Sequence, residues 1–365
     1  MKIGVLTSSR ADFGIYLPLL NQMKEDDFFE LEIIAFGTHL SKFHGYTLDN
    51  ILANDFQKIH TISSLLTNDD EASIATAYGL TNLKFADFWS ANHYDLVLCL
   101  GDRFEMSAAV QAGIPYNIKF AHFHGGETTL GAVDNIYRHQ ITLASSLHFT
   151  AAQPFSERVQ TIKGDDAGVY TVGSLSLDGY QQMDLVPEDE FRAKFNIPND
   201  FVLITFHPET VSTGMNKAYA VQMFSALRNI AKKIDLVITM PNADTMGTVF
   251  RDVLAQLQLE YPEKVKLIEN FGKVNYFSAM SYCKFLLGNT SSGIIEAASF
   301  NKYVINVGDR QKGRAQSENT FNCSFNSIAI EDAVNSVLSK GEYKGANIYY
   351  KENTVETIVT VLKTI

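Results

Sequence analysis

Residues 120–139, FAHFHGGETTLGAVDNIYRH, lead an apolar run into His122, His124, a Gly125-Gly126 pair and Glu127. After a short glycine-containing loop, Asp134 opens an expected helix that carries Arg138 and His139. This reads as a strand, a tight turn and a helix start, with ionisable groups gathered at the turn. In an open α/β sheet that edge is where ligands bind. Asp102, in the segment GDRFE, reaches the same kind of edge from another apolar run. Asp102, Glu127 and Asp134 are thus candidates for proton transfer. Each also has a plain structural explanation: Asp102 could cap a helix starting at Arg103, Asp134 could cap its own helix, and Glu127 could be a solvated turn residue. Convergence favours chemistry, because clustered carboxylates shift one another's proton affinity and are costly without a use. His122 and His124 alternate along the strand, so one is expected to pack and the other to face the site. Arg138, four residues after Asp134, could hold it ionised. A metal reading competes: His-x-His with Glu127 or Asp134 could ligate a divalent ion.

A second cluster suits an anion. LGNTSSGIIE, residues 287–296, stops a strand at a glycine, offers Thr290, Ser291 and Ser292, and starts a helix. Free N–H groups and the helix dipole there favour a phosphate. An ordinary N-cap would need only one hydroxyl; three between glycines point to phosphate, and Glu296 one turn on could take a ribose diol. Arg310 and Arg314 in GDRQKGR could reach a diphosphate or base, or be solvated loop charges. Arg10 is expected in a strand-end loop rather than on a helix face, and His207 directly follows a strand; both join the diphosphate candidates. Arg103 and Asn242 complete the set of strand-end polar residues. The phosphate end and the Gly-Gly turn suit a nucleotide sugar better than a metal centre.

The elements that must position these residues alternate strand and helix over 365 residues, a length that suggests two domains. Expected strands cover 3–7, 31–36, 58–62, 96–100, 118–123, 147–150 and 168–172, with helices at 15–24, 71–92 and 134–146. A polar, acidic stretch at 184–200 breaks the pattern, which then restarts with strands at 201–206, 236–239, 265–268, 285–287 and 303–307. Helices are expected there at 218–232, 245–260, 276–283, 294–300, 330–339 and 354–363. The strands are continuous apolar runs, as parallel strands covered on both faces must be. Two doubly wound Rossmann-like domains facing across a cleft are expected, at 1–178 and 187–345.

Composition sets limits. With 46% hydrophobic and 19% charged residues the chain is globular, and a net charge of −11 argues against a nucleic-acid surface. Three dispersed cysteines without Cys-x-x-Cys spacing read as reduced thiols. No signal-peptide pattern and no bilayer-length apolar run is found, so a cytoplasmic protein is expected.

Taken together, SSRADFG, GTHLSKFHG, GDRFE, HFHGGE…DNIYRH, FHPET, GNTSSGIIE and GDRQKGR stand in the order of the hydrolysing UDP-N-acetylglucosamine 2-epimerases, which the chain resembles over essentially its whole length. That group includes sialic-acid pathway enzymes and relatives acting on 2,4-diacetamido-trideoxy sugars. The resemblance implies the two-domain glycosyltransferase-B fold, with residues 352–365 crossing back to the first domain. It places Asp102, Glu127 and Asp134 on catalytic acids, with His124 in the catalytic set. Arg10, His207, Thr290 and Ser291 fall on diphosphate contacts, Glu296 on a ribose contact, and His39 and His44 near the sugar. Arg103, Arg138, Asn242, Ser292, Arg310 and Arg314 are carried as substrate contacts. No cofactor is implied, and a homodimer or homotetramer is expected. Non-hydrolysing relatives carry Glu-Ala-Gly at the central loop, where this chain has His124-Gly125-Gly126-Glu127; that points to the branch releasing free sugar. Gly14 departs from the polar residue some members carry. The rival readings are a glycosyltransferase of the same fold and a non-catalytic nucleotide-sugar sensor.

Overall fold

The computed structural model describes the chain except residues 69, 131–132, 210–212, 241–246 and 270, and no side-chain description covers residues 44, 213, 247 and 248. The chain divides into two compact units. One comprises Met1–Glu127, Asp134–Asp178 and Tyr349–Ile365; the other comprises Thr128–Val133 and Gly179–Ile348. Each is a parallel α/β layer structure.

In the first unit the strands are β1 (Lys2–Thr7), β2 (Glu30–Phe36), β3 (Lys58–Ile62), β4 (Leu96–Leu100), β5 (Phe120–Phe123), β6 (Leu147–Thr150) and β7 (Val169–Thr171). They pair in parallel in the order β3-β2-β1-β4-β5-β6-β7. Strand alternation divides the apolar residues between two cores. Val5, Ile33 and Leu98 meet Tyr16, Leu19 and Leu20 of the helix Arg10–Lys24 on one face. Leu6, Ile34, Val97 and Cys99 meet Phe85, Trp89 and Met106 on the other. The C-terminal helix Thr354–Leu362 buries Val355, Ile358 and Leu362 in the first of these cores.

The second unit repeats the design. Its strands are β8 (Phe201–Thr205), β9 (Asp235–Thr239), β10 (Val265–Ile268), β11 (Leu286–Gly288), β12 (Val304–Val307) and β13 (Thr320–Cys323), in the order β10-β9-β8-β11-β12-β13. Two apolar clusters again cover the two faces. In both sheets the winding reverses beside the first strand, between β1 and β4 and between β8 and β11. The loops leaving those strands therefore splay apart and leave room for a ligand.

Local departures from the sequence expectation have physical reasons. The first helix starts at Arg10, not at 15, because Ser9 caps it, its Oγ accepting from the Asp12 N–H at 3.3 Å. Arg10 thus lies in a first helical turn, exposed, and not in a loop. Helix Gln153–Lys163 and strand β13 escape the pattern reading: Ala152 offers no side-chain cap, and β13 is a half-exposed edge strand without a continuous apolar run. All three cysteines are free thiols. Among the described residues no helix is long and apolar enough to cross a membrane.

Gly288 ends β11 with φ +143°, and a Cβ there would sit 1.8 Å from the Thr205 carbonyl oxygen. Gly288→Ala should therefore destabilise the second unit by about 2 kcal/mol or more, read as a lowered urea midpoint with unchanged slope.

Candidate active site

In the first unit the site is built on the ends of β4 and β5. Arg138 is buried on the helix Asp134–Ala144 and forms two bonds that tie these ends together. Its Nη2 donates to Asp102 Oδ2, and its Nη1 donates to the His124 carbonyl at 2.6 Å. The expectation that Arg138 serves Asp134 is corrected: its hydrogen bonds go to Asp102 and His124, and its charge is a minor influence on Asp134. Nor does Asp102 cap the helix Phe104–Gly113, whose cap position is Arg103 and carries no side-chain cap bond.

His124 follows β5 with φ +61°, a conformation uncommon for a residue with a side chain. The turn is held from several sides. The His124 N–H donates to the Phe149 carbonyl, and Gly126, at φ +76°, lies where a Cβ would come within 2.2 Å of the Phe155 carbonyl oxygen. So placed, the His124 ring meets Glu127, Nδ1 to Oε1 at 2.8 Å. Glu127 is 2% exposed, which removes the reading of a solvated turn residue.

Asp134 behaves differently from the other acids. Burial, helped by the nearby Asp102 charge, pushes its carboxyl up to about 6. Such a group exchanges a proton near neutral pH, as general acid–base chemistry requires. His122 packs away from the chemistry, its Nδ1 on Thr142 Oγ1 at 3.1 Å and its Nε2 on the Gly101 carbonyl at 2.9 Å. With both ring nitrogens taken, a His-x-His metal pair is not formed. His39 is likewise packed, between the Thr7 and Thr47 hydroxyls, and burial lowers its pKa to about 4. It is a neutral, packed histidine. The His44 side chain and Asn242 lie outside the described residues.

In the second unit a neutral amide does the tying. Asn289, fully buried after β11, accepts from the His207 N–H at 2.7 Å and donates to the His207 carbonyl at 2.9 Å. The Asn289 carbonyl accepts from Arg310 Nη1 at 3.2 Å and from Gln311 Nε2 at 3.0 Å. Loops after β8, β11 and β12 are thereby joined around one side chain and its backbone. Glu209 adds a second tie, its Oε1 accepting from the Asp309 N–H at 3.0 Å. Burial, with the Arg310 charge, lowers His207 to about 3, so its imidazole is neutral.

The hydroxyl cluster is divided among tasks. Thr290 caps the helix Ser291–Ile295, and Ser292 donates to Glu296. Ser291 opens that helix, half-buried. The helix expected over 294–300 is instead this five-residue turn followed by a 3-10 turn, Ala297–Phe300. Its dipole is accordingly short, and hydroxyls and arginine carry more of any anion affinity than expected. Arg314 is half-buried in the loop after β12.

A family described as UDP-N-acetylglucosamine 2-epimerase matches residues 21–363 by its sequence profile. The chain belongs to the UDP-N-acetylglucosamine 2-epimerase family. It is 32% identical over 366 residues to the UDP-N,N'-diacetylbacillosamine 2-epimerase (hydrolyzing) of Legionella pneumophila, covering 100% of this chain and 96% of the relative. It is 30% identical over 369 residues to the polysialic acid biosynthesis protein P7 of Escherichia coli, covering 99% and 93%. In fold it matches the crystal structure of UDP-GlcNAc 2-epimerase from Neisseria meningitidis bound to UDP-GlcNAc, at a TM-score of 0.82 with 16% identity and 100% coverage of both chains. Two parallel-sheet α/β domains of glycosyltransferase-B-like type are thus the fold of this 2-epimerase family member. It is an enzyme of the hydrolysing 2-epimerase kind.

Four residues of this 2-epimerase were given no role from the sequence: Asp12, Glu105, Glu209 and Asn289. Asp12 is buried and accepts from the Ser8 N–H at 3.1 Å and the Ser8 hydroxyl at 2.7 Å. Its signal was the Ser9-x-x-Asp12 spacing of a helix start. Asn289 carried no signal beyond its place between a strand-end glycine and Thr290.

The raised proton affinity of Asp134 has a sign that can be tested. Its carboxylate is penalised by folding above pH 6, and the penalty fades as pH falls through 6 toward the ordinary value of 3.8. Asp134→Asn should raise the melting temperature at pH 8 and give no such gain near pH 4, measured by calorimetry.

Proposed function

We propose that this enzyme converts UDP-N-acetylglucosamine and water into UDP and N-acetylmannosamine, by elimination and then hydration. The observation that carries this reading is the set of three carboxyl groups in three environments at one sheet edge. Asp102 lies on a buried guanidinium, Glu127 on an imidazole, and Asp134 holds its proton up to about 6. Acid and base roles in one site are assigned by such contrasts of environment.

The C2 proton of the sugar is not acidic by itself, so C1–O cleavage leads. UDP departs with the bonding electron pair, and positive charge develops at the ring, where carboxylates stabilise it. A base removes the C2 proton, leaving a 2-acetamidoglycal. Water then adds to C1, and a proton returns to C2 from the other face. The reading gives Asp102 the first proton and Glu127 or Asp134 the second, with His124 orienting Glu127. The leaving diphosphate is assigned to Arg10, His207, Thr290, Ser291, Ser292, Arg310 and Arg314, and the ribose to Glu296. A neutral His207 brings the diphosphate an N–H rather than a charge. The enzyme is taken to work in the cytoplasm as a homodimer or homotetramer, which light scattering on the purified protein would check.

A second substrate is favoured by one observation: the 32%-identical relative from Legionella pneumophila is named for UDP-N,N'-diacetylbacillosamine. The chemistry at C1 and C2 is the same, and only the groups at C4 and C6 differ.

Proton NMR in D₂O without acceptor separates the readings. Free N-acetylmannosamine deuterated at C2, together with UDP, is the expected product. Turnover of the diacetamido sugar alone would move the assignment to that substrate. Inertness on both would favour a transferase. Asp102→Asn and Glu127→Gln should each lower kcat by about 10²–10⁴-fold while UDP affinity by calorimetry stays within a factor of a few; an unchanged kcat would remove that residue from the mechanism.

A further inference from the structure

The hydrogen bond between Arg103 and Glu105 has no part in the reaction as assigned above, and both of its ends are unusual. Glu105 lies in the first turn of the helix Phe104–Gly113 and its side chain is 1% exposed. Its Oε1 accepts from Arg103 Nη2 at 3.0 Å, while its Oε2 has no hydrogen-bond partner among the described residues. The Arg103 side chain, by contrast, is 40% exposed. Among the described residues Glu105 is its one hydrogen-bond partner, and its buried Nε has none. A deeply buried carboxylate thus grips one arm of a guanidinium whose side chain is only partly exposed.

Stability does not account for this. Burying a carboxylate costs several kcal/mol, and one bond leaves much of its acceptor capacity unused. An apolar side chain would fill the same space at lower cost. The helix start gains only the modest dipole benefit of an acid in its first turn, and Arg103 contributes no side-chain cap.

The surroundings of Arg103 say what the tether is for. From the helix Arg10–Lys24 it is faced by Asp12, and from the helix Asp134–Ala144 by Asp134. Its charge also reaches His39 in the loop after β2. Asp134 is faced in turn by Asp102, Arg103 and Arg138, and Tyr137 feels both Asp134 and Glu105. Arg138 is committed to Asp102 and His124. Arg103, by contrast, has Glu105 as its one side-chain hydrogen-bond partner among the described residues.

We propose that Glu105 is a positioning residue for the epimerisation: it tethers Arg103 so that the guanidinium is the counter-charge Asp134 meets as its proton moves. This rests on the reaction assigned above. Glu105 touches no reacting atom; it acts through Arg103. With the Glu105 charge removed but its shape kept, the Arg103 field at Asp134 is less compensated, and that favours the Asp134 carboxylate.

The test is the pH dependence of kcat for the full-length enzyme and its Glu105→Gln variant, which is nearly isosteric. Glu105→Gln should lower kcat about tenfold, leave KM within a factor of about three, and move the limb near pH 6 to lower pH by about half a unit or more. Arg103→Lys keeps the charge but loses the planar fork, and should reproduce the loss in kcat. A Glu105→Gln enzyme with an unmoved limb overturns the proposal, whether or not its kcat falls, since a purely structural role would lower rate or stability alone. Should Glu105→Gln not fold, Arg103→Lys decides: a wild-type rate and limb in that variant overturns it. A wild-type enzyme inert on both UDP sugars would instead sink the reaction assignment.

Discussion

The bond pair made by Arg138 is the constraint on which the rest of the first unit depends. A guanidinium this deeply buried is tolerated only where its charge and donors are met. Asp102 meets the charge from the end of β4, and the His124 carbonyl meets a donor from the end of β5. Both acceptors sit on strand ends fixed by parallel pairing, with Cys99 opposite His122 and Leu100 opposite Phe123. The register of two buried strands therefore decides where the ion pair forms. The pair in turn holds the His124 turn in its left-handed conformation and aims the imidazole at Glu127.

The second unit solves a similar positioning problem without charge. Asn289 ties its loops through amide bonds, and His207 is held neutral by burial and by Arg310. The difference suits the two tasks proposed for the units. Proton transfer needs carboxyl groups whose proton affinities are set apart by nearby charges. Holding a diphosphate needs donors already pointed at it, and a neutral amide orients backbone groups without a charge of its own to compete with the ligand.

Glycine matters at few places. Gly126 and Gly288 adopt positive φ where a Cβ would strike a carbonyl oxygen of another segment. In both cases the backbone runs close because a strand end must turn sharply into the loop that carries functional side chains. Gly14, a departure from the family pattern, lies in open space on the first helix, and nothing in its surroundings explains it.

Much of this protein was legible in its sequence. Apolar runs such as residues 96–100 and 201–205 declare buried parallel strands, because only strands covered on both faces are apolar at every position. The ionisable residues that follow such runs, Asp102, His124 and Glu127 among them, are placed at a sheet edge by the chain itself. Pairings across sequence were not legible. Arg138 is four residues from Asp134 and thirty-six from Asp102, yet bonds Asp102; spacing along a helix says which residues share a face, not what the neighbouring strand end presents to it. The same holds for His39 and Asn289, whose partners arrive from other elements. The residue types and their edge of the sheet are local properties of the chain, and the sequence alone determined them. Charge states and partners depend on burial and on distances through space, and these only the tertiary structure decided.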